Sequence, residues 1–337
     1  MTSGKVCSGH VKEVKLVPKK QNISVRDNPP LITAAMISWN MGPMIIEAMA
    51  SVYRNKYPNI EFICIDDAST DGVSQDVLRE YHRETNFGTL ILNEVNQGVA
   101  KNLNTALSMA SGKYLFMLGD DLYRPEKLWA DVEAFERLPA DVAVVHSIIQ
   151  QVKSDGISKY PSFSPTRPWP QEVRDDLEFR DILALGGDFL AAPTALHKVE
   201  HVRSVGGWDE DLRNEDVGMW FRLANAGFTF HFRPEVTVDY RRHSGQVSSG
   251  FKPGDFVYWM KVYRPHGHFD EAQRKMRGFL AYAVSASLDG VSDWRECWAI
   301  YRSDPNHSRF YSFLIRMRLL LTAAAVFRVA RRLARRG

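Results

Sequence analysis

The sequence has few cysteines, no long hydrophobic run and no glycine-rich phosphate-binding loop. Cys7, Cys64 and Cys297 are widely spaced without a Cys-x-x-Cys pattern, which excludes a disulfide framework and favours a reduced, cytoplasmic setting. No apolar run of signal-peptide length occurs near the start. The first apolar strand is followed by SWNMGPM rather than G-x-G-x-x-G, and no Walker-type loop is present, which argues against a dinucleotide-dependent dehydrogenase.

The composition is that of an ordinary globular protein. The 337 residues are 45% hydrophobic and 25% charged, with a formal net charge of +3. Strand patterns alternate with helical patterns from about residue 31 to residue 145, which predicts a βαβ sheet. Helices are expected around residues 44–54, 77–84, 100–109 and 126–137.

Three short apolar strands end in polar clusters. Residues 114–118 lead through Gly119 to two adjacent carboxylates, Asp120 and Asp121, and the segments 30–40 and 60–72 also end in polar residues. Because open α/β sheets bind ligands at the carboxyl ends of their strands, these clusters are expected to converge. Two carboxylates there indicate a divalent cation shared with a diphosphate. An acidic turn before a helix is the alternative explanation.

A second acidic pair, Glu215 and Asp216, stands at the start of an amphipathic helical pattern. The helix dipole stabilises a carboxylate at this end, so Asp216 is expected to stay ionised and able to accept a proton. Ordinary helix-start chemistry would explain the same pair.

Together these segments resemble the family 2 glycosyltransferases of the GT-A type, over residues 30–249. Six motifs follow the family order, at residues 38–40, 66–72, 96–114, 120–121, 206–223 and 241–243. The resemblance implies an α/β GT-A fold, in which a mostly parallel central sheet is flanked by helices, here with a helical C-terminal extension.

The resemblance also implies a role for each matching residue. Nucleotide binding is expected from Ser38, Trp39, Asn40, Asp67, Lys101 and Asp120. Trp39 would stack on the base, and Asp67 would accept a hydrogen bond from a ring nitrogen. A divalent metal, Mn or Mg, would be bound by Asp121, Asp120 and His243. Asp216 would be the catalytic base, and the acceptor side would include Trp208, Glu215 and Asp188.

Three positions depart from the family pattern. Gly119 replaces the first carboxylate of the usual Asp-x-Asp triplet, so metal binding is expected to be weaker. Lys101 replaces an arginine and keeps the charge without the planar fork. Asn104 stands where glycine is common, which leaves the local geometry open.

The implied reaction is an inverting transfer of a sugar from a nucleoside-diphosphate sugar, commonly a UDP-sugar in this family, to a hydroxyl of a glycan or lipid-linked glycan. Such a reaction belongs to cell-surface polysaccharide or glycolipid synthesis. A non-catalytic nucleotide-sugar or glycan-binding module is the alternative, because one metal carboxylate is missing. The presence of both Asp121 and Asp216 disfavours it.

The chain is expected to divide into five parts. These are a mobile N-terminal extension (1–29), a nucleotide-sugar-binding half (30–155), an acceptor-binding half (156–250), a helical extension (251–311) and a basic amphipathic tail helix (312–337). The tail contains seven arginines and no acidic residue. Its longest uncharged run, residues 319–327, is too short to span a bilayer.

A basic amphipathic tail of this kind is typical of a helix lying on an anionic membrane surface. The protein is therefore expected to be cytoplasmic and peripheral at the inner face of the membrane. Packing of the tail on its own domain, or on a second subunit in a homo-oligomer, is the alternative. Nucleic acid is not an expected partner, because few aromatic residues interleave the arginines.

Overall fold

The computed structural model describes residues 24–157, 176–177, 190–212, 215–243 and 246. The N-terminal extension up to residue 23, Asp188, the helical extension and the basic tail lie outside the described residues. The strands are β1 (Ile32–Ser38), β2 (Ile60–Asp66), β3 (Gly88–Leu92), β4 (Tyr114–Leu118), β5 (Leu122–Tyr123), β6 (Val142–Lys153), β7 (Asp176–Leu177), β8 (Leu196–Lys198) and β9 (Thr229–Arg242). The helices are α1 (Met44–Tyr53), α2 (Ser74–Thr85), α3 (Val99–Met109), α4 (Lys127–Phe135), α5 (Val199–Ser204) and α6 (Glu215–Asn225), with a 3₁₀ turn at Ala192–Thr194.

The first half of the sheet is parallel, in the order β3-β2-β1-β4. All seven residues of the central strand β1 are buried. Ala35 and Ile37 enter one apolar cluster, whereas Ala34 and Met36 enter the other. A parallel strand covered on both faces is apolar along nearly its whole length, which is why this segment forms a short hydrophobic run in the sequence.

Helices cover both faces of the sheet. The cluster on one face contains apolar side chains of α1, α2 and α4, and the cluster on the other face contains those of α3, α5 and α6. The four helices predicted in the first half are confirmed. Helix α2 begins three residues earlier than predicted, because Asp71 accepts hydrogen bonds from the Ser74 N–H at 2.9 Å and from the Ser74 hydroxyl at 2.5 Å.

The second half of the sheet is mixed. Strand β8 pairs antiparallel with β4 and with β6, and so joins the two halves. Strand β6 runs parallel to β9, which pairs antiparallel with β5 and β7. The predicted α/β sheet flanked by helices is confirmed, with its parallel part concentrated in β1 to β4. In the described part of the chain, no helix is both long and apolar enough to cross a membrane.

Candidate active site

Strand register brings three polar strand ends to one edge of the sheet. Ser38 at the end of β1 pairs with Asp66 at the end of β2. Met36 of β1 pairs with Leu118 of β4. Ser38 and Asp120 each lie two residues beyond this pair, at the same edge of the sheet. The predicted convergence of these ends is therefore a consequence of parallel pairing around β1.

Asp67 lies directly after β2 and organises the loop that leads into α3. Its Oδ1 accepts hydrogen bonds from the Gln97 N–H at 2.8 Å and from Asn93 Nδ2 at 2.9 Å. Its Oδ2 accepts the Gly98 N–H at 2.9 Å. Burial alone would raise the pKa of Asp67, but hydrogen bonds from Asn102 and from these three groups outweigh burial and hold the pKa below its ordinary value. Asp67 is a fixed anion at neutral pH.

The end of β1 is tied to the end of β2 through Asn40. This residue has a left-handed φ of 53°, and its Oδ1 accepts the N–H groups of Thr70 at 2.7 Å and Asp71 at 3.2 Å. Ser38 is fully buried, whereas the neighbouring Trp39 is 42% exposed. An exposed indole beside a polar sheet edge offers a surface on which a flat ring can stack.

The Asp120 and Asp121 pair is held by the end of β9. Asp120 Oδ2 lies 2.6 Å from His243 Nε2, and Asp121 Oδ1 accepts the backbone N–H of Arg241 at 2.8 Å. The buried guanidinium of Arg241 donates to the Asp120 carbonyl oxygen at 2.8 Å and pairs with the Glu47 carboxylate on α1. The structure thus brings together the three residues predicted to bind metal.

The side chains at this edge fit a divalent cation. Asp121 is only 4% exposed, and burial followed by the charge of Asp120 raises its pKa well above the ordinary value, against the opposing effect of Arg241. A positive charge would relieve this repulsion. The described residues contain no group of three or more His, Cys, Asp or Glu side chains that could hold a metal by themselves. Mg²⁺ in nucleotide sites needs only one or two carboxylates, because phosphates supply further oxygens.

Two of the departures from the family pattern lie near this edge. A Cβ at Gly119 would stand 3.0 Å from Met41 Cε, so a side chain there would require Met41 to move. Lys101 lies exposed in the first turn of α3, immediately after the loop that Asp67 organises. A carboxylate side chain at position 119 would therefore crowd Met41.

Glu215 and Asp216 begin α6, as the sequence predicts, and both are half-buried. Asp216 Oδ1 accepts the Val217 N–H at 2.7 Å. Burial and the negative charge of Asp216 raise the pKa of Glu215 to about 8. At neutral pH Glu215 accordingly retains its proton beside Asp216.

The expected acceptor contact of Trp208 is wrong for this structure. Trp208 is only 2% exposed, and its ring lies 5.9 Å from that of His197 inside the apolar core. Burial of a large indole ring is strongly favourable, so Trp208 packs in the core although an acidic motif follows it in the sequence. Asp188, a further acceptor-side candidate, lies outside the described residues.

The sequence did not predict the contacts of two residues that hold the site together, Arg241 and Asn104. Arg241 was recognised only as part of a C-terminal motif, and nothing in that motif distinguishes it from the exposed Arg242. Asn104 was noted only as a departure from glycine. Its hydrogen-bond partners lie 104 and 106 residues further along the chain, where no local pattern could indicate them.

Comparisons with known proteins identify a family and relatives that this chain resembles. Residues 33–192 match the family model described as Glycosyl transferase family 2. The chain is 27% identical over 224 residues to the putative teichuronic acid biosynthesis glycosyltransferase TuaG of Bacillus subtilis (strain 168), covering 65% of this chain and 82% of that protein. It is 24% identical over 206 residues to the poly-beta-1,6-N-acetyl-D-glucosamine synthase of Staphylococcus epidermidis, covering 61% and 48% of the two chains.

Among solved structures, the chain is similar to S. aureus TarS 1-349 in complex with UDP-GlcNAc, with a TM-score of 0.52 and 18% identity. The match covers 69% of this chain and 65% of that one, slightly less than two thirds of its length. The fold is that of the GT-A glycosyltransferases. The match of residues 33–192 to the family 2 model and the curated glycosyltransferase relatives confirm the predicted resemblance, and the predicted fold is confirmed.

Proposed function

We propose that this chain transfers a sugar from a UDP-sugar to a hydroxyl of a glycan or lipid-linked glycan, with inversion at the anomeric carbon. The observation that carries the proposal is the convergence of Trp39, Asp67 and the Asp120-Asp121 pair at one edge of the sheet. UDP is proposed because family 2 members commonly use it. The names of the relatives support a role in cell-surface polysaccharide or glycolipid synthesis.

In this proposal the donor binds to the half formed by residues 30–155. Trp39 stacks on the base, Asp67 accepts a hydrogen bond from it, and further nucleotide contacts come from Ser38, Asn40, Lys101 and Asp120. Asp120, Asp121 and His243 would hold Mn or Mg. When bound, such a cation supplies positive charge that neutralises a departing diphosphate.

The acceptor binds to the half formed by residues 156–250, beside α6. Asp216 takes the proton of the acceptor hydroxyl as its oxygen bonds to the anomeric carbon, and the bond from that carbon to the diphosphate oxygen breaks on the opposite face. Attack and departure on opposite faces invert the configuration, so no protein nucleophile is needed. Glu215 keeps its proton below about pH 8 and can donate it to an acceptor oxygen in a hydrogen bond. Asp188 is a further candidate on this side.

The decisive experiment has two steps. A thermal-shift screen of nucleoside diphosphates, with and without manganese, tests the base and the metal together, since a ligand at about a hundred times its Kd adds about 2.7 kcal/mol of apparent stability. UDP with manganese is expected to give the largest shift. Transfer from the matching sugar nucleotides to water-soluble glycan acceptors is then measured by product analysis. Stabilisation without transfer from any donor would favour the binding module instead.

The membrane part of the proposal depends on the sequence of the tail at residues 312–337, which lies outside the described residues. We propose that the tail attaches the enzyme peripherally to the cytoplasmic face of an anionic membrane. Deleting it should leave transfer to a soluble acceptor intact and abolish sedimentation with anionic vesicles at low salt. Aggregation of the truncated protein, together with indifference of the intact protein to vesicles, would instead indicate a structural or oligomer-forming helix.

A further inference from the structure

Asn104 connects helix α3 to the loop that precedes α6. Its Nδ2 donates to the carbonyl oxygen of Trp208 and to Glu210 Oε1, both at 2.9 Å, and its Oδ1 accepts the Trp208 N–H at 2.8 Å. An amide side chain suits this arrangement because it donates and accepts at once. A single side chain on α3 thereby holds the backbone of the 206–211 loop on both sides of one residue.

The contact between Asn104 and the loop is close. Gly207 has a φ of 74°, which favours glycine, and a Cβ at this position would stand 2.5 Å from Asn104 Oδ1. Side chains do not approach each other so closely, so glycine at 207 is what allows Asn104 to reach the Trp208 peptide. Gly207 and Asn104 are therefore sterically matched to each other.

The other side of the same loop is attached to α6. Arg222 donates from one guanidinium nitrogen to the Gly207 carbonyl oxygen at 3.0 Å, and its other terminal nitrogen pairs with Asp209 Oδ2 at 3.1 Å. Arg222 lies about two helical turns after Glu215, which begins this helix. The loop therefore stands between α3 and the helix that carries the acidic pair.

The opposite end of α3 is attached to the donor side. The Gly98 N–H, directly before the helix, donates to Asp67 Oδ2 at 2.9 Å, and Asn104 lies about 9 Å further along the helix axis. Hydrogen bonds thus run from Asp67 through α3 and Asn104 to the 206–211 loop, and from that loop through Arg222 to α6.

We propose that Asn104 is a positioning residue for the transfer reaction, which sets through the 206–211 loop where the Glu215 and Asp216 carboxyl groups stand relative to a donor bound at Asp67. The inference rests on the proposed function. It extends that function because Asn104, which is not among the proposed donor or acceptor contacts, would align the donor-binding half with the acceptor-binding half. Misplacing a reacting group by about 1 Å can cost about a hundredfold in rate without weakening the binding of the donor.

The test compares Asn104→Ala with Thr105→Ala in the full chain. Thr105 is the next residue of α3, and among the described residues its hydroxyl bonds to the Lys101 carbonyl oxygen of the same helix, at 3.0 Å. Asn104→Ala is expected to lower kcat between about tenfold and a hundredfold while the KM for the donor stays the same. Thr105→Ala is expected to behave as the native chain.

Hydrogen exchange provides a second readout that needs no turnover. The Trp208 amide and the first-turn amides of α6 should exchange faster in Asn104→Ala than in Thr105→Ala, whereas the Gly98 amide should not change. Unchanged exchange at α6, or a loss of donor affinity equal to the loss of kcat, would overturn the proposal. If the native chain transfers no sugar, the proposed function fails, and the exchange comparison still decides whether Asn104 positions α6.

Discussion

Two carboxyl groups on the two sides of the site are shifted in opposite directions. Asp67 on the donor side receives two backbone N–H groups and side-chain amide donors, and its pKa lies below the ordinary value. Glu215 on the acceptor side lies half-buried next to Asp216, and its pKa rises to about 8. Asp67 directly follows strand β2, and Glu215 begins helix α6.

The difference shows how the same chemical group can serve two tasks. A carboxylate saturated with donors keeps its charge over the whole physiological range and gives a fixed anchor for a loop and a ligand. A carboxyl group beside a like charge retains its proton into the neutral range, and the pair as a whole can exchange a proton. We expect Asp67 to keep its charge near neutral pH and the Glu215 and Asp216 pair to respond to pH.

The largest effect is expected from Asp216→Asn, which removes the proposed proton acceptor while keeping its shape. Transfer should fall by about a hundredfold or more, because that is what general bases commonly contribute. Binding of UDP, measured by calorimetry, should be nearly unchanged, since the substitution lies on the acceptor side. Near-full turnover with an authentic acceptor would transfer the role of base to Glu215 or Asp188.

Asp67→Ala should disrupt the loop that leads into α3 and the binding of the donor. The substitution leaves the N–H groups of Gln97 and Gly98 without their acceptor, so the free energy of unfolding should fall by about 3 kcal/mol and UDP binding should be lost. Because the folded pKa is lowered, Asp67 contributes its stability above the ordinary Asp pKa and loses it as the pH falls through the folded value. Urea unfolding at neutral and acidic pH checks both points, and a smaller difference between native and variant at neutral than at acidic pH would contradict them.

Asp121→Ala sharpens the comparison, because Asp121 is a donor-side carboxyl whose pKa is raised. With metal present, the affinity for UDP should fall by about tenfold or more, as expected when a buried charged contact is lost. The affinity for uridine, which lacks the diphosphate, should change much less. Calorimetry that showed equal losses for the two ligands would remove Asp121 from the diphosphate site.

Glu215→Gln is expected to have the smallest effect at neutral pH, where Glu215 already carries a proton. Its folded pKa of about 8 lies above the ordinary value of 4.5, so its contribution to stability is complete below the unfolded pKa and is lost as the pH rises through the folded value. The native protein should therefore lose stability between about pH 4.5 and about pH 8 relative to the Gln variant, as urea midpoints would show. Parallel curves for the two proteins would mean that Glu215 titrates normally.

The sequence allowed the strand ends and helix starts to be predicted because their signals are local. A hydrophobic run ending in Asp120 and Asp121, or an acidic pair opening α6, is contained within a few residues. The contacts of Asn104 and Arg241 could not be predicted, since their partners lie more than a hundred residues away. The burial of Trp208 was also missed, because sequence spacing does not say which way an aromatic ring faces between a loop and a core.

The strand pairing in the mixed half of the sheet could not be predicted either, because it too joins distant parts of the chain. Strand β6 pairs with β9 across a separation of about ninety residues, and β8, which lies between them in sequence, pairs with β4 and β6. Alternating strand and helix patterns predict parallel neighbours. They do not predict a strand that returns from a distant part of the chain.

The three residues of β8 have a consequence for how the chain folds. Strands β1 to β4 are built from neighbouring βαβ units and can pair during synthesis before β8 leaves the ribosome, because short-range closure costs the least entropy. Until then β4 presents an unpaired, fully apolar edge, which is a template for aggregation. We therefore expect chains that end before Leu196 to need a chaperone to stay in solution, and chains that extend past Arg242 to lose that requirement.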